Sequence, residues 1–167
     1  VFKALVNDAQ RNSLIAQDVR SAYDAGRKIL VLTERTEHLE LLQAALSVIQ
    51  DLFVLHGRMT KKQRTTMLFS LTALDDASPR VILATGRLIG EGFDHPPLDT
   101  LVLAMPISWK GTLQQYAGRL HRNHAGKQDV RIYDYAESDQ PQLASMWHKR
   151  LRGYRAMGYT VGVGVGS

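Results

Sequence analysis

The chain has 167 residues, 44% hydrophobic and 22% charged, proportions of an ordinary folded domain long enough to bury one core. Its 21 Lys and Arg against 16 Asp and Glu give a formal net charge of +5, which favours a polyanionic partner, and zero cysteines exclude a disulfide framework and a thiolate zinc site. No apolar run reaches the ~20 residues that a membrane-spanning helix needs and the N-terminus has no signal-peptide pattern, so the expected setting is the cytoplasm, with no membrane.

A short apolar piece, Val1 to Val6, opens the chain without an initiator Met, the pattern of a domain cut from a longer protein. Asn7 or Asp8 then caps a predicted helix running to about Ala25. Ile15, Val19, Ala22 and Tyr23 form its apolar face and Gly26 supplies the stop. Lys28 to Thr33 is an apolar run of strand length, rich enough on both faces for an interior parallel strand. Thr36 is the expected cap of the next helix, with Glu37 and Glu40 in its first turn and Leu39, Leu42, Leu46 and Ile49 along its buried face.

A second strand, Leu52 to Leu55, closes in His56-Gly57. Thr60 and Gln63 then form a capping box for a helix whose apolar stripe is Met67, Leu68 and Leu71. Arg58, Lys61, Lys62 and Arg64 put four cations within seven residues at its start, a pattern that suits phosphate contact and equally a helix kept soluble by charge.

The third strand, Val81 to Ala84, runs into Thr85-Gly86 and a glycine-punctuated loop with Phe93 and Asp94 before a fourth strand at Leu101 to Leu103. Such a strand, loop and neighbouring strand is the layout of an open α/β sheet, where ligands sit beyond the carboxyl ends of strands. Gln115-Tyr116-Ala117-Gly118-Arg119-Leu120-His121-Arg122 then reads as the start of a helix that Trp109 or Lys110 precedes and that ends near His124, with Gly126 beyond. Arg119 and Arg122, at i and i+3, share a face; Gln115 lies one turn earlier and Gly118 removes a side chain where a phosphate would approach. From these residues alone, a solvated basic face is an equal reading. His121 and His124 have no third ligand, so no metal site is expected. Val130 to Tyr135 alternates as a fifth strand, and Pro141 begins a last helix to about Arg155, with Leu143, Met146, Trp147, Arg150 and Leu151 at helical spacing and a basic run His148-Lys149-Arg150-x-Arg152-x-x-Arg155.

Five strands alternating with helices predict a doubly wound, mainly parallel sheet with helices on both faces. The domain is expected over 1–158, followed by a flexible tail, 159–167. The Ala84-Thr85 to Asp94 stretch resembles motif V of superfamily-two helicases, and Gln115-x-x-Gly118-Arg119-x-x-Arg122 resembles their motif VI, in the right order and with a strand between. The resemblance covers about 8–155 and implies the second of two RecA-like lobes of a nucleic-acid motor. The run from Glu91 to Pro96 and on to Arg119 is most similar to type III restriction subunits and DNA repair translocases, less so to the RNA-acting DEAD-box branch.

That resemblance implies roles. Arg122 is the principal arginine finger, Arg119 the second, and Gln115 orients near the γ-phosphate. Gly92 and Asp94 approach the ribose and phosphates of the nucleotide, with Gly118 beside them. Thr85 hydrogen-bonds a nucleic-acid phosphate, while Thr33 and Arg35 match motif IV and Gly57, Arg58 and Lys61 lie along the nucleic-acid backbone. For Arg35 a plain strand-to-helix turn fits as well. Gly86 departs from the commoner motif V pattern, and the loop is one residue longer than in the DEAD-box branch, which leaves Arg87 and Glu91 without assigned roles.

The chain contains no Gly-x-x-x-x-Gly-Lys-Ser/Thr loop and no Asp-Glu pair after an apolar strand. ATP and Mg²⁺ are therefore expected to be held mainly by the N-terminal RecA-like lobe of a parent protein, and this lobe alone to hydrolyse essentially none. The implied partners are that lobe and DNA, with RNA also compatible. A non-catalytic module of the same fold, binding nucleic acid or a protein, is the alternative. A dinucleotide enzyme would need its glycine loop after the first strand, and Thr33 is followed by none.

Overall fold

Lys28–Thr33 forms the central strand of a five-stranded sheet, and all six of its residues are buried. The computed structural model describes residues 2–86, 93–109, 111–120, 129–137 and 139–162, without the side chains of 112 and 119. In chain order the described elements are α1 (Phe2–Val6), α2 (Ala9–Asp24), β1 (Lys28–Thr33), α3 (Thr36–Ala45), β2 (Leu52–Leu55), α4 (Lys61–Thr72), β3 (Arg80–Thr85), β4 (Thr100–Leu103), α5 (Gly111–Arg119), β5 (Arg131–Asp134) and α6 (Pro141–Ala156). The strand order is β2-β3-β1-β4-β5 and every pairing is parallel. The expected doubly wound α/β architecture is the one observed.

Alternation along the strands divides the core. Leu30, Leu32, Ile82, Leu101 and Leu103 point to one face, where Leu71 of α4, Leu113, Tyr116 and Leu120 of α5 and its exit, and Tyr154 of α6 cover them. Ile29, Val31, Val81, Leu83 and Val102 point to the other, against Ile15, Val19 and Ala22 of α2 and Leu39 and Leu42 of α3. A parallel sheet needs this double cover, because each strand is apolar on both sides. The apolar opening piece is α1, whose Leu5 and Val6 pack with Met105 and Leu143.

Local signals at several helix ends worked as read. The Asp8 side chain accepts from the Arg11 amide, and Gly26 turns the chain out of α2 at φ +87°. Thr60 and Gln63 make the reciprocal capping box, and Pro141 starts α6. Three readings need correction. Arg35, not Thr36, is the cap residue of α3; Thr36 is already helical, and no side chain caps this end. That helix stops at Ala45, so Leu46 and Ile49 reach the core from the following turn. The Gln115 stretch does not itself begin the helix, whose start directly after Trp109 and Lys110 is as read. Gly111, at φ +50°, lets the chain turn into α5 four residues earlier, which puts Gln115 in mid-helix and Arg119, short of His124, at its last residue.

Arg150 is the largest departure from a surface pattern. It does not belong to the basic face of α6 but is fully buried, gripping Asp134 with Nε at 2.7 Å and Nη2 at 3.0 Å while Nη1 donates to the Ile107 carbonyl at 3.1 Å. The Tyr154 hydroxyl donates to the same carboxylate at 2.8 Å, and burial beside that charge pushes its pKa up. Trp109 meets Tyr154 edge-on, 5.1 Å between ring centroids, and its indole fills the space above Gly153. Tyr159, expected in the tail, packs into this cluster 6.1 Å from Tyr154 and donates to the Ala117 carbonyl of α5.

A Cβ on Gly153 would lie 2.0 Å from Trp109 Cε2. Gly153→Ala must therefore displace the indole, and we expect a loss of about 1–3 kcal/mol in urea unfolding. An unchanged midpoint would show that Trp109 does not need that space.

Candidate functional site

In an all-parallel sheet every strand ends at the same rim. Thr33 and Thr85 are register partners on β1 and β3, and Leu55 of β2 and Leu103 of β4 lie level with Ala84 and Leu32. The described segments that leave this rim are 34–35, 56–60, 86 and 104–109. Thr33, Arg35, Gly57, Arg58, Lys61 and Thr85, read from three separate stretches of sequence, are thus brought to the ends of three adjacent strands. The starts of α3 and α4 face the same way and add partial positive charge.

The side chains there differ in availability. Gly57, Arg58 and Lys61 are exposed, and the His56 ring accepts from the Arg58 amide at 3.2 Å, fixing that turn. Arg35 is 41% exposed and only 3.7 Å from Glu37, a pair of little energetic weight in water. Thr85 is 8% exposed. Glu34 was missed from sequence: its carboxylate lies at Gly86, 3.3 Å from where a Cβ would stand, so the absent side chain at 86 makes room for an acid from the neighbouring strand's exit.

Thr33 requires revision. Its side chain has no exposure, and its Oγ1 is 2.8 Å from Nδ1 of the buried His38. The Asn12 amide donates to the Val6 carbonyl at 2.8 Å, which turns its oxygen toward His38 Nε2, also at 2.8 Å. An amide oxygen only accepts, so His38 carries its proton on Nε2 and the Thr33 hydroxyl donates to Nδ1. The one hydroxyl proton is thereby committed, and a phosphate oxygen, itself an acceptor, has no hydrogen bond to take from it. Thr33 ties the end of β1 to α3 and, through Asn12, to α2.

Arg11, 7% exposed, stands behind this network. It pairs with Glu137 at 3.0 Å, donates to the Ala104 carbonyl and lies 5.8 Å from the Tyr135 ring centroid. Burial lowers its pKa and Glu137 opposes that shift. Among the described residues no group of three or more His, Cys, Asp or Glu is placed to hold a metal.

The second set of candidates sits on α5. Leu113, Tyr116, Ala117 and Leu120 are buried, while Gln115 and Gly118 are exposed on the same side. Arg119 is the last residue of this helix, its side chain undescribed, and Arg122 and Gly92 lie outside the described residues, as do Arg87 and Glu91. Asp94 is exposed, beside Phe93, which packs against the α4–α5 core. The Arg150, Trp109 and Tyr159 contacts described above hold both the approach to α5 and its middle turn.

A family model, the helicase conserved C-terminal domain, matches residues 11–124. The chain is 25% identical over 146 residues to a transcript termination protein of fowlpox virus, covering 86% of this chain and 31% of that protein. It is 36% identical over 98 residues to an uncharacterized protein of invertebrate iridescent virus 3, covering 58% of this chain and 88% of the relative. A putative ATP-dependent RNA helicase of Acanthamoeba polyphaga mimivirus is 24% identical over 91% of this chain and 28% of its own length. Among solved structures, T4 UvsW superposes with a TM-score of 0.70 at 17% identity, over 93% of this chain and 34% of that one. The C-terminal domain of the DEAD-box protein Dbp5 superposes at 0.59 and 16% identity, over 86% and 79%. The chain thus spans about a third of the fowlpox protein and of UvsW.

His38 supplies a pH test of the rim. Burial, then the charge of Arg11, push its pKa down from 6.5 to about 4. The unfolded chain takes up this proton from pH 6.5 downward while the folded protein resists until about 4. The stabilising preference for neutral His38 is present above that window and is lost as pH falls through it, by roughly 3 kcal/mol at pH 4. Urea midpoints followed from about pH 7 to about pH 4.5 should fall more steeply for wild type than for His38→Gln; parallel curves would sink this assignment.

Proposed function

Because the chain belongs to the helicase conserved C-terminal domain family, we propose that it is the second motor lobe of an ATP-dependent DNA helicase or duplex translocase. The observation that carries this reading is the gathering of the motif IV, motif V and basic-turn residues at one rim, with α5 presenting Gln115 and Gly118 to solvent. In the proposed arrangement the N-terminal lobe of the same parent holds ATP and Mg²⁺, since no phosphate-binding loop occurs in these residues. The nearer branch is that of type III restriction subunits and repair translocases, in a cytoplasmic setting.

Charge develops on the transferring phosphoryl group and its leaving oxygen. Guanidinium groups brought by the opposite lobe stabilise it electrostatically, and α5, which ends at Arg119, is packed against the sheet. Arg122 is the principal finger and Arg119 the second, with Gln115 toward the γ-phosphate. Gly92, Asp94 and Gly118 border the nucleotide. Thr85, Arg35, Gly57, Arg58 and Lys61 face the nucleic-acid backbone, where contacts give affinity without sequence choice. Lobe closure then couples hydrolysis to movement.

The iridescent virus relative favours a second reading, since the match takes up 88% of its length. A protein of that extent consists of little beyond this lobe. On that reading the module binds nucleic acid or a protein without supporting hydrolysis in cis.

The deciding experiment is ATP turnover by the two-lobed protein, with duplex DNA, with RNA and with neither, in wild type and Arg122→Ala. The motor reading expects DNA-stimulated turnover and a loss of roughly a thousandfold or more in the variant, with DNA binding retained. Unchanged turnover in Arg122→Ala would leave the binding module, and stimulation by RNA alone would reassign the substrate.

The charge of the rim gives an independent check. Binding to DNA should weaken steeply with salt, the log–log slope growing by about 0.7–0.9 per phosphate contacted; a slope near zero would remove nucleic acid as the partner.

A further inference from the structure

The outer face of α4 is not used by the reading above. Met67, Leu68 and Leu71 turn inward, so Lys62, Thr65, Thr66, Phe69 and Thr72 form the opposite side. Phe69 is 76% exposed, a full aromatic ring in water. The hydroxyls of Thr66 and Thr72 donate within the helix, to the Lys62 and Leu68 carbonyls, and present their methyl and oxygen surfaces around it. From Arg58 to Thr72 there is no acidic residue, while Arg58, Lys61 and Lys62 are exposed cations.

The Phe69 ring stands in a segment with cations and no acid, whose charge is complementary to a polyanion. The outer face of α3 offers a contrast: Leu41, Ala44 and Ala45 are exposed there without a cation among them. The chemistry around Phe69 fits a polyanion with flat, stackable groups. Lys62 and Phe69 are seven residues apart and so nearly in line, about 10 Å along the axis, a span of roughly one to three nucleotides.

We propose that this face is a track for single-stranded nucleic acid, in which an unpaired base stacks on Phe69 while Lys62, with Lys61 and Arg58 beyond it, holds the adjoining phosphates. The proposal rests on the nucleic-acid part of the reading above and adds a base contact to what are otherwise phosphate contacts. Stacking tolerates any base, so it would add affinity for unpaired strands without sequence preference.

The test uses this chain with a fluorescent oligothymidylate and with the same strand carrying abasic sites. Phe69→Ala should weaken binding to the intact strand roughly tenfold, and the abasic strand should bind wild type and variant alike. The salt slope should be unchanged in Phe69→Ala and should fall by about 1 in Lys62→Ala. Phe69→Trp should bind with its fluorescence quenched by the bases. Because the side chain is exposed, neither substitution endangers the fold. If wild type binds and Phe69→Ala binds equally well, the stacking site is wrong and a protein cover takes its place. If wild type does not bind at any salt concentration, the nucleic-acid reading itself falls.

Discussion

Parallel pairing of β1 on both sides is the constraint from which the rest follows. With β3 and β4 as its neighbours, β1 has both backbone edges satisfied and both faces apolar. Helices must then cover both faces, and every strand must return by a crossover to start at the same end. All loops that leave strands therefore collect at one rim. A site made of residues far apart in sequence needs no further device to assemble than this shared direction.

Direction alone does not hold a rim rigid, and here the work is done by buried polar groups placed just behind it. Asp134 ends β5 and receives Arg150 and Tyr154 from α6, while Arg150 also donates to Ile107 on the path into α5. Thr33 ends β1 and is fixed by His38 and, through it, Asn12. Such groups gain little net stability over apolar replacements, but removing one partner leaves the other buried and unpaired, at a cost of about 3–5 kcal/mol for an ion pair. That asymmetry penalises any arrangement of α5 or α3 in which the partners do not meet. In the proposed motor it would keep α5 in one position through the cycle.

The sheet was legible because its signals are local. The runs Lys28 to Thr33 and Leu52 to Leu55 are apolar, of strand length and bounded by polar residues, and the strands have those bounds. Caps made by adjacent residues, Asp8 and the Thr60–Gln63 box, were legible for the same reason. Groups whose partners lie far along the chain were not: Arg11 meets Glu137, Arg150 meets Asp134, and Glu34 meets Gly86. Arg150 carried one usable sign, its place on the apolar stripe with Leu143 and Trp147, where a solvated cation does not belong. Thr33 misled because family position says where a residue stands on the rim and not whether its hydroxyl proton is free.

The rim also divides by charge, in a way that the net charge of +5 conceals. The exit of β1 and the start of α3 carry Glu34, Glu37 and Glu40 against Arg35 alone, so that side is acidic. The exit of β2 and all of α4 carry cations and no acid. Since β2 is an edge strand of the sheet and β1 its central one, these cations lie at a border of the described rim. In the proposed motor a nucleotide triphosphate and a nucleic-acid strand would each be drawn to its own part of the rim. Fixed cations on the β2 side would draw the nucleic-acid strand to that border, and the carboxylates at the β1 exit would keep it from the centre.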